Sequence, residues 1–249
     1  MKALARVACA AAAFLILVTA AGAVPGRAYV LWTGSKVYVS RAWVLQNEPT
    51  GPNSRVFRTT DGGRSWRIVS KLATYGGKVA FVSPRDGWLA GQRLLRTVDG
   101  GRSWQIQPLP APHGYSGRLV LLTAPRFFGR DGELAGQYGG DKPVIGFYRT
   151  RDGGRHWHLL STLPGSSPGA FPQFVLSAVS ASTAWLLTAG AKSAVYVTRD
   201  GGRRWSSHQL ARRLFAPVAL SARVAAASDF RGRPYITRDG GRTWRRLNL

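Results

Sequence analysis

The sequence predicts an all-β fold, a β-propeller of five four-stranded blades, and three observations carry that expectation. One phrase, T-x-D-G-G-R-x-W, recurs five times, at residues 59–66, 97–104, 150–157, 198–205 and 237–244. Its aspartates, Asp61, Asp99, Asp152, Asp200 and Asp239, are 38, 53, 48 and 39 residues apart, which are propeller-blade lengths. Beyond the N-terminal segment no stretch shows sustained helical periodicity.

The N-terminal segment reads differently from the rest. Lys2 and Arg6 precede an apolar run over residues 7–20, and small residues through Ala23 lead to Val24 and Pro25. That layout predicts a secretory signal over residues 1–23, or an uncleaved anchor, with export to a periplasmic, extracellular or membrane-tethered location. The remaining residues, 24–249, are expected to form a single domain. The sole cysteine, Cys9, lies inside the apolar run, so the exported domain would hold no disulfide and no thiolate metal site.

Each repeat then reads as four short strands. An apolar opener comes first, at residues 79–82, 119–122, 174–176 and 218–220. A second strand follows: Asp86-Gly-Trp88-Leu-Ala-Gly-Gln92 matches the segment from Asp131 to Gln137 at six of seven positions, with Glu133 in place of Trp88. Trp43, Trp185 and Val224 open the same strand in the other repeats. A third strand enters the D-G-G turn and a fourth leaves it on the Trp. The last repeat ends at Leu249 after its fourth strand, so the ring could close by juxtaposition; alternatively residues 29–33 could supply a strand that latches the last blade to the first. An open array completed by dimerisation is a further arrangement, although a monomer is expected.

The turn has its own chemistry. Two glycines after an aspartate allow positive φ without penalty, and the carboxylate can accept backbone N–H groups across the turn. Trp66, Trp104, Trp157, Trp205 and Trp244 bury a ring against the hairpin and can donate an indole N–H to it. His156 and Arg204 stand where Ser65, Ser103 and Thr243 supply a hydroxyl, so those two turns should lose one hydrogen bond.

These positions resemble the Asp-box, or BNR, repeat, S/T-x-D-x-G-x-[ST]-W, found in sialidases, sortilin-type receptors and the photosystem II stability and assembly factors. The G-W-L-A-G phrase beside T-x-D-G-G-x-[ST]-W is most similar to the assembly-factor type. That resemblance implies box aspartates that are structural, a ligand face away from the boxes, and a chaperone-like scaffold that binds a protein and needs no cofactor or metal. The alternative it implies is a sialidase-like glycoside hydrolase. Those enzymes use a Tyr nucleophile with a Glu, an Asp acid/base and three arginines, and their Phe-Arg-Ile-Pro string is missing here. Glu133 is the one catalytic candidate, and a buried Glu among arginines also reads as a structural ion pair.

Charge points to partners. The chain carries 35 Lys and Arg against 11 Asp and Glu, a net +24, which loss of Lys2 and Arg6 would reduce to +22. Such an excess attracts an anionic envelope polymer or a membrane surface, without specific nucleic-acid recognition. Arg64, Arg102, Arg155, Arg203 and Arg242 recur in every box and would form a basic rim, either for docking or merely to balance the box aspartates and protect strand edges. Ligand-binding candidates come from Gly-flanked loops: Tyr75, Tyr115, Arg118, Tyr138, Arg231 and Arg233, with Arg212-Arg213 and Phe171-Pro-Gln173 in similar loops. The four histidines show no metal-ligand spacing.

Overall fold

The computed structural model describes residues 29–31, 41–47, 53–74, 77–115, 117–165, 173–189 and 193–248. The expected signal, Cys9, Glu48, Tyr75 and most of the loop at 171–173 lie outside the described residues. Within them every regular element is a strand, and no helix is long and apolar enough to cross a membrane. The described residues fall into two compact units, one formed by those up to 89 with 95–105, the other by 90–94 with those from 106 onward.

Five antiparallel sheets follow one another along the chain. The first contains β1 (Tyr29–Leu31), β2 (Ala42–Asn47), β3 (Asn53–Thr59) and β4 (Arg67–Ala73), in that order. The second contains β5 (Lys78–Phe81), β6 (Gly87–Ala90), β7 (Leu94–Thr97) and β8 (Gln105–Gln107). In the third, β9 (Leu119–Leu122) and β10 (Arg126–Phe128) share one long partner, β11 (Asp131–Tyr138), which is followed by β12 (Val144–Thr150) and β13 (His158–Pro164). The fourth holds β14 (Gln173–Ala178), β15 (Ala184–Ala189), β16 (Ala194–Thr198) and β17 (Ser206–Gln209). The fifth holds β18 (Phe215–Ala219), β19 (Ala225–Ser228), β20 (Pro234–Thr237) and β21 (Arg245–Arg246).

Three features differ in detail from the sequence expectation. Tyr29–Leu31 opens the first sheet by pairing with β2, Leu31 opposite Leu45, and so is not a latch onto the last one. In the third sheet the opener breaks in two, because Thr123 bonds Ala135 through both backbone and hydroxyl and turns the chain before β10. In the fifth sheet the apolar opener is not wholly buried: Val218 and Leu220 are 57% and 63% exposed.

Successive sheets bury their faces on one another within each unit. In the first unit Trp43, Leu45 and Val56 pack with Val79, Phe81 and Leu89, and the Trp43 and Phe81 rings stack at 4.0 Å. In the second, Ile145, Phe147 and Leu163 pack with Phe174, Leu186 and Tyr196, while Trp185 and Val195 pack with Ala225 and Trp244. Each fully buried side chain of this size contributes about 1.5 to 3 kcal/mol. The Gly of the second-strand phrase is explained by the same packing. A Cβ on Gly87 would fall 2.5 Å from the Phe81 ring, and one on Gly132 equally close to Phe127.

Candidate functional site

The box turns are built around the threonine rather than the aspartate alone. Thr59, Thr97, Thr150, Thr198 and Thr237 are all buried. In each, the hydroxyl donates to the aspartate and accepts the N–H of the second glycine, as Thr97 does to Asp99 at 2.8 Å and from Gly101 at 2.9 Å. The aspartate reaches across to the far side of the turn, where Asp99 accepts from the Ser103 N–H at 3.0 Å and the Ser103 hydroxyl at 2.6 Å. Gly100 and Gly101 hold φ of 77° and 89°, which only glycine adopts without strain. The hydroxyl bonds from Ser65 and Thr243 hold Asp61 and Asp239 well below the usual carboxylate range. In Asp99 and Asp152 partial burial pushes upward and the same set of bonds outweighs it.

The expected loss of a bond is observed in one of the two variant turns. No side-chain hydrogen bond joins Arg204 to Asp200, which accepts only backbone N–H groups on that side, from Arg203 at 3.0 Å and Arg204 at 2.9 Å. His156 does the opposite, because its ring Nδ1 reaches Asp152 Oδ2 at 2.6 Å and replaces the hydroxyl.

The box tryptophans depend on the preceding sheet. Trp104 Nε1 donates to the Gly101 carbonyl and to Ser70 on β4, both at 3.0 Å; Trp205 does the same with Gly202 and with Ser161 on β13. Ser70 and Ser161 each lie four residues beyond a box Trp. Pro108 follows Trp104 at that spacing, and in the fourth sheet, whose last strand pairs without a register shift, His208 stands opposite Val195 where Ser70 and Ser161 stand opposite Val56 and Phe147; the indole N–H groups of Trp157 and Trp244 have no partner. Trp66 is 41% exposed. The rim arginines, Arg64, Arg102, Arg155, Arg203 and Arg242, are all exposed. Arg64 and Arg102 fold back onto the carbonyl of their own box aspartate, at 3.4 and 3.1 Å.

Glu133 stands in a row of ionisable groups across the third sheet. The register places Arg126 opposite Glu133, Glu133 opposite Arg149 and Arg149 opposite His158, so four adjacent strands present these residues on one face. Glu133 is 2% exposed and its Oε1 has no hydrogen-bond partner. Burial pushes its carboxyl up to about 8, against the opposing pull of Arg149 and then Arg126. It is therefore protonated at neutral pH and lines neither of the two concavities described below.

Of the loop candidates, Tyr115, Arg118 and Tyr138 come together at one junction that is already satisfied. Tyr115 donates to the Gly139 carbonyl at 2.7 Å, and the Gly139 N–H donates to the Arg118 carbonyl. Tyr138 ends β11 and is 4% exposed, its hydroxyl within 2.5 Å of that of Tyr148, so it sits in the core and not in a loop. Arg118 itself is exposed.

Arg231 and Arg233 fare differently. They belong to the β19–β20 hairpin tip, where the buried Asp229 accepts the backbone N–H of both and the Arg233 Nε at 2.8 Å. Burial raises the Asp229 carboxyl, and the bonds from Arg233 and Arg231 outweigh it and leave it below its ordinary value. One Arg233 edge is thus fixed while its outer nitrogens remain as donors. This tip lines a concavity of about 510 Å3 with Arg212, Arg213 and Phe215, and exposes Phe230, 74% accessible, with the Arg231 guanidinium over its ring. The sequence points to Arg212-Arg213 and to Arg231 and Arg233 as loop residues but does not show their convergence, and Phe215 lies at the start of the opener strand β18. Among the described residues no group of three His, Cys, Asp or Glu could hold a metal ion.

Successive antiparallel sheets, each with its last two strands joined by a D-G-G turn, define an Asp-box β-propeller. The BNR/Asp-box repeat model matches residues 235–246. The family described as Photosynthesis system II assembly factor YCF48 matches residues 71–214, more than half of the chain, and the chain belongs to that family. YCF48 from Cyanidioschyzon merolae is similar at 17% identity, over 91% of this chain and 87% of that one, with a TM-score of 0.50. A YCF48 bound to a D1 peptide is 20% identical over 90% of this chain and 83% of that one, with a TM-score of 0.42. The GH74 enzyme of Niastella koreensis is similar at 12% identity over 83% of this chain and only 36% of its own, with a TM-score of 0.57. No curated protein sequence matches the chain.

Proposed function

We propose that this chain is an exported, non-enzymatic scaffold of the assembly-factor type, and that it engages an acidic segment of a protein partner at the concavity of Arg212, Arg213, Phe215, Phe230 and Arg233. The observation that carries the reading is the Asp229 clamp: a buried carboxylate spends its lone pairs on orienting one arginine toward a site that also offers an exposed aromatic ring. Clamped guanidiniums and aromatic anchors on a rigid strand scaffold are the groups that dominate protein recognition. Membership of the assembly-factor family supports a protein as partner.

The hydrolase alternative needs two carboxylates flanking one substrate bond. Each of the two concavities has a single carboxylate in its lining, Asp229 or Asp152, and both are bound within their own turns. Export rests on the N-terminal pattern of Lys2, Arg6 and the apolar run. An anionic envelope surface is a secondary partner favoured by the net charge.

Titration calorimetry with acidic peptides, one aromatic-containing and one not, tests the binding. Wild type should bind the aromatic acidic peptide, and the Arg213→Gln/Arg233→Gln variant should bind about tenfold or more weakly. Equal binding by both proteins would remove the site. Fluorogenic sialosides and arabinofuranosides should yield no product between about pH 4 and 8; turnover lost in Glu133→Gln would establish the hydrolase instead.

A further inference from the structure

We infer that a second concavity, lined by Arg149, Arg151, Asp152, His158, Leu160 and Arg203, binds a phosphate dianion, either free or as the terminal phosphomonoester of a lipid headgroup. It encloses about 500 Å3 and shares no lining residue with the aromatic concavity.

The first concavity carries the same charge balance, so charge selects the ligand here only together with a lining that has no phenyl ring. Three guanidiniums face one carboxylate, a net of +2. That carboxylate does not compete for them, because Asp152 Oδ1 accepts from the Thr150 hydroxyl and from the N–H groups of Arg155 and His156, while Oδ2 takes the His156 ring. Arg149 keeps its charge available as well. Its nearest acid is Asp131 at a loose 3.7 Å, and Glu133, directly opposite on β11, is neutral at pH 7 because burial holds its proton. A single peptide carboxylate would leave one positive charge unmatched. A phosphate dianion matches the net charge, and its several oxygens suit forked guanidinium donors arriving from different strands.

Arg149 is also held in place. Its Nη1 lies where a Cβ on Gly201 would stand, so the bare glycine of the fourth sheet's box leaves room for the guanidinium. Arg151 and Arg203 come from two different box turns, and His158 from β13 adds an imidazole donor from a third direction. Unlike the first concavity, this one has no phenyl ring in its lining, and Leu160 is its only apolar member.

The test is titration of inorganic phosphate into the full chain at constant ionic strength, followed by backbone amide shifts, with co-sedimentation on vesicles of phosphatidylcholine containing phosphatidic acid or phosphatidylglycerol at equal surface charge. Wild type should bind phosphate, with the largest shifts at residues 149–160 and 203. Arg151→Gln/Arg203→Gln, both exposed, should weaken it about tenfold or more, while Arg64→Gln/Arg242→Gln, removing the same charge from other boxes, should not. Preference for phosphatidic acid over phosphatidylglycerol, lost in the same double variant, identifies the headgroup as source; binding of soluble phosphate with no vesicle preference identifies the free ion. The inference is overturned if wild type shows no phosphate binding, if both double variants weaken it alike, or if a phosphoserine peptide binds while phosphate and phosphatidic acid do not.

Discussion

Trp185 and Glu133 occupy the same place in consecutive sheets, each on the second box-leading strand, and they do opposite things. Trp185 is fully buried, donates its indole N–H to the Ser221 carbonyl at 2.9 Å, and packs edge-on to Trp244 at 6.5 Å. Glu133 is buried as deeply, yet it leaves an oxygen unpartnered and holds a proton it would surrender in water. Where the repeat is kept, the residue stabilises the stack. Where it is broken, the chain tolerates a costly group flanked by Arg126 and Arg149, next to a charged concavity. At this one position, keeping the repeat holds adjacent sheets together, and breaking it leaves a neutral acid beside the arginine that lines the charged concavity.

The comparison can be broken most forcefully at Trp185. Trp185→Ala should destabilise by about 3 to 5 kcal/mol through lost transfer energy, cavity and an orphaned carbonyl, read from chemical denaturation. A loss below about 1 kcal/mol would mean that the second-strand aromatic does not hold adjacent sheets together.

At Glu133 the expected effect has a direction in pH. Its folded carboxyl is raised to about 8 from an ordinary 4.5. Between those values the folded chain binds the proton that the unfolded chain has lost, so this group makes stability fall as pH rises from about 4.5 to 8 and level off above. Glu133→Gln, neutral throughout, should be flat over that window and on the order of a few kcal/mol more stable than wild type at pH 9. Parallel curves for the two proteins would show that Glu133 is ionised and paired.

The box turns run the other way. Their aspartates are depressed, so the stability they supply is present above the unfolded value near 3.8 and is lost as pH falls below it. Asp99→Ala should cost about 1 to 3 kcal/mol, because several turn N–H and hydroxyl groups lose their acceptor. Asp200→Ala should cost less, since Arg204 supplies no side-chain hydrogen bond there. Equal costs would indicate that the hydroxyl bond is energetically silent.

The smallest effect concerns the missing serine. His208→Ser places an acceptor opposite Val195, where Ser70 and Ser161 stand opposite Val56 and Phe147 to serve Trp104 and Trp205, and should stabilise by about 0.5 to 1 kcal/mol by satisfying Trp244. Thermal unfolding of His208→Ser against His208→Ala separates this bond from a change in bulk.

What was legible in the sequence was what repeats locally. The D-G-G turn, its aspartate and its glycines interact within a few residues, so five copies announce a β-propeller and the positive-φ turns that the structure contains. The Trp-to-Ser bond was not legible, because its partners are 34 and 44 residues apart and belong to different sheets. The split opener of the third sheet was hidden because Thr123 finds its partner in Ala135, 12 residues on in the same sheet, with no repeated motif to mark it. Arg231 and Arg233 were nominated correctly as loop residues, whereas Tyr138 was misplaced because a Gly-flanked tyrosine at a strand end looks the same whether its ring faces solvent or Tyr148. Arg149 could have been noticed: arginine precedes the box threonine at Arg58, Arg96 and Arg149 alike, and only the third lies opposite a glutamate.

The division between fold and binding is tested most directly by mapping where a ligand touches. An acidic, aromatic-containing peptide with a photoreactive group at one end, crosslinked to the full chain and located by mass spectrometry, should label residues 212–215 and 229–233. Label concentrated around Asp61 or Asp99 instead would contradict the account, because it would place peptide recognition away from the Asp229 clamp and leave that clamp without a ligand to orient.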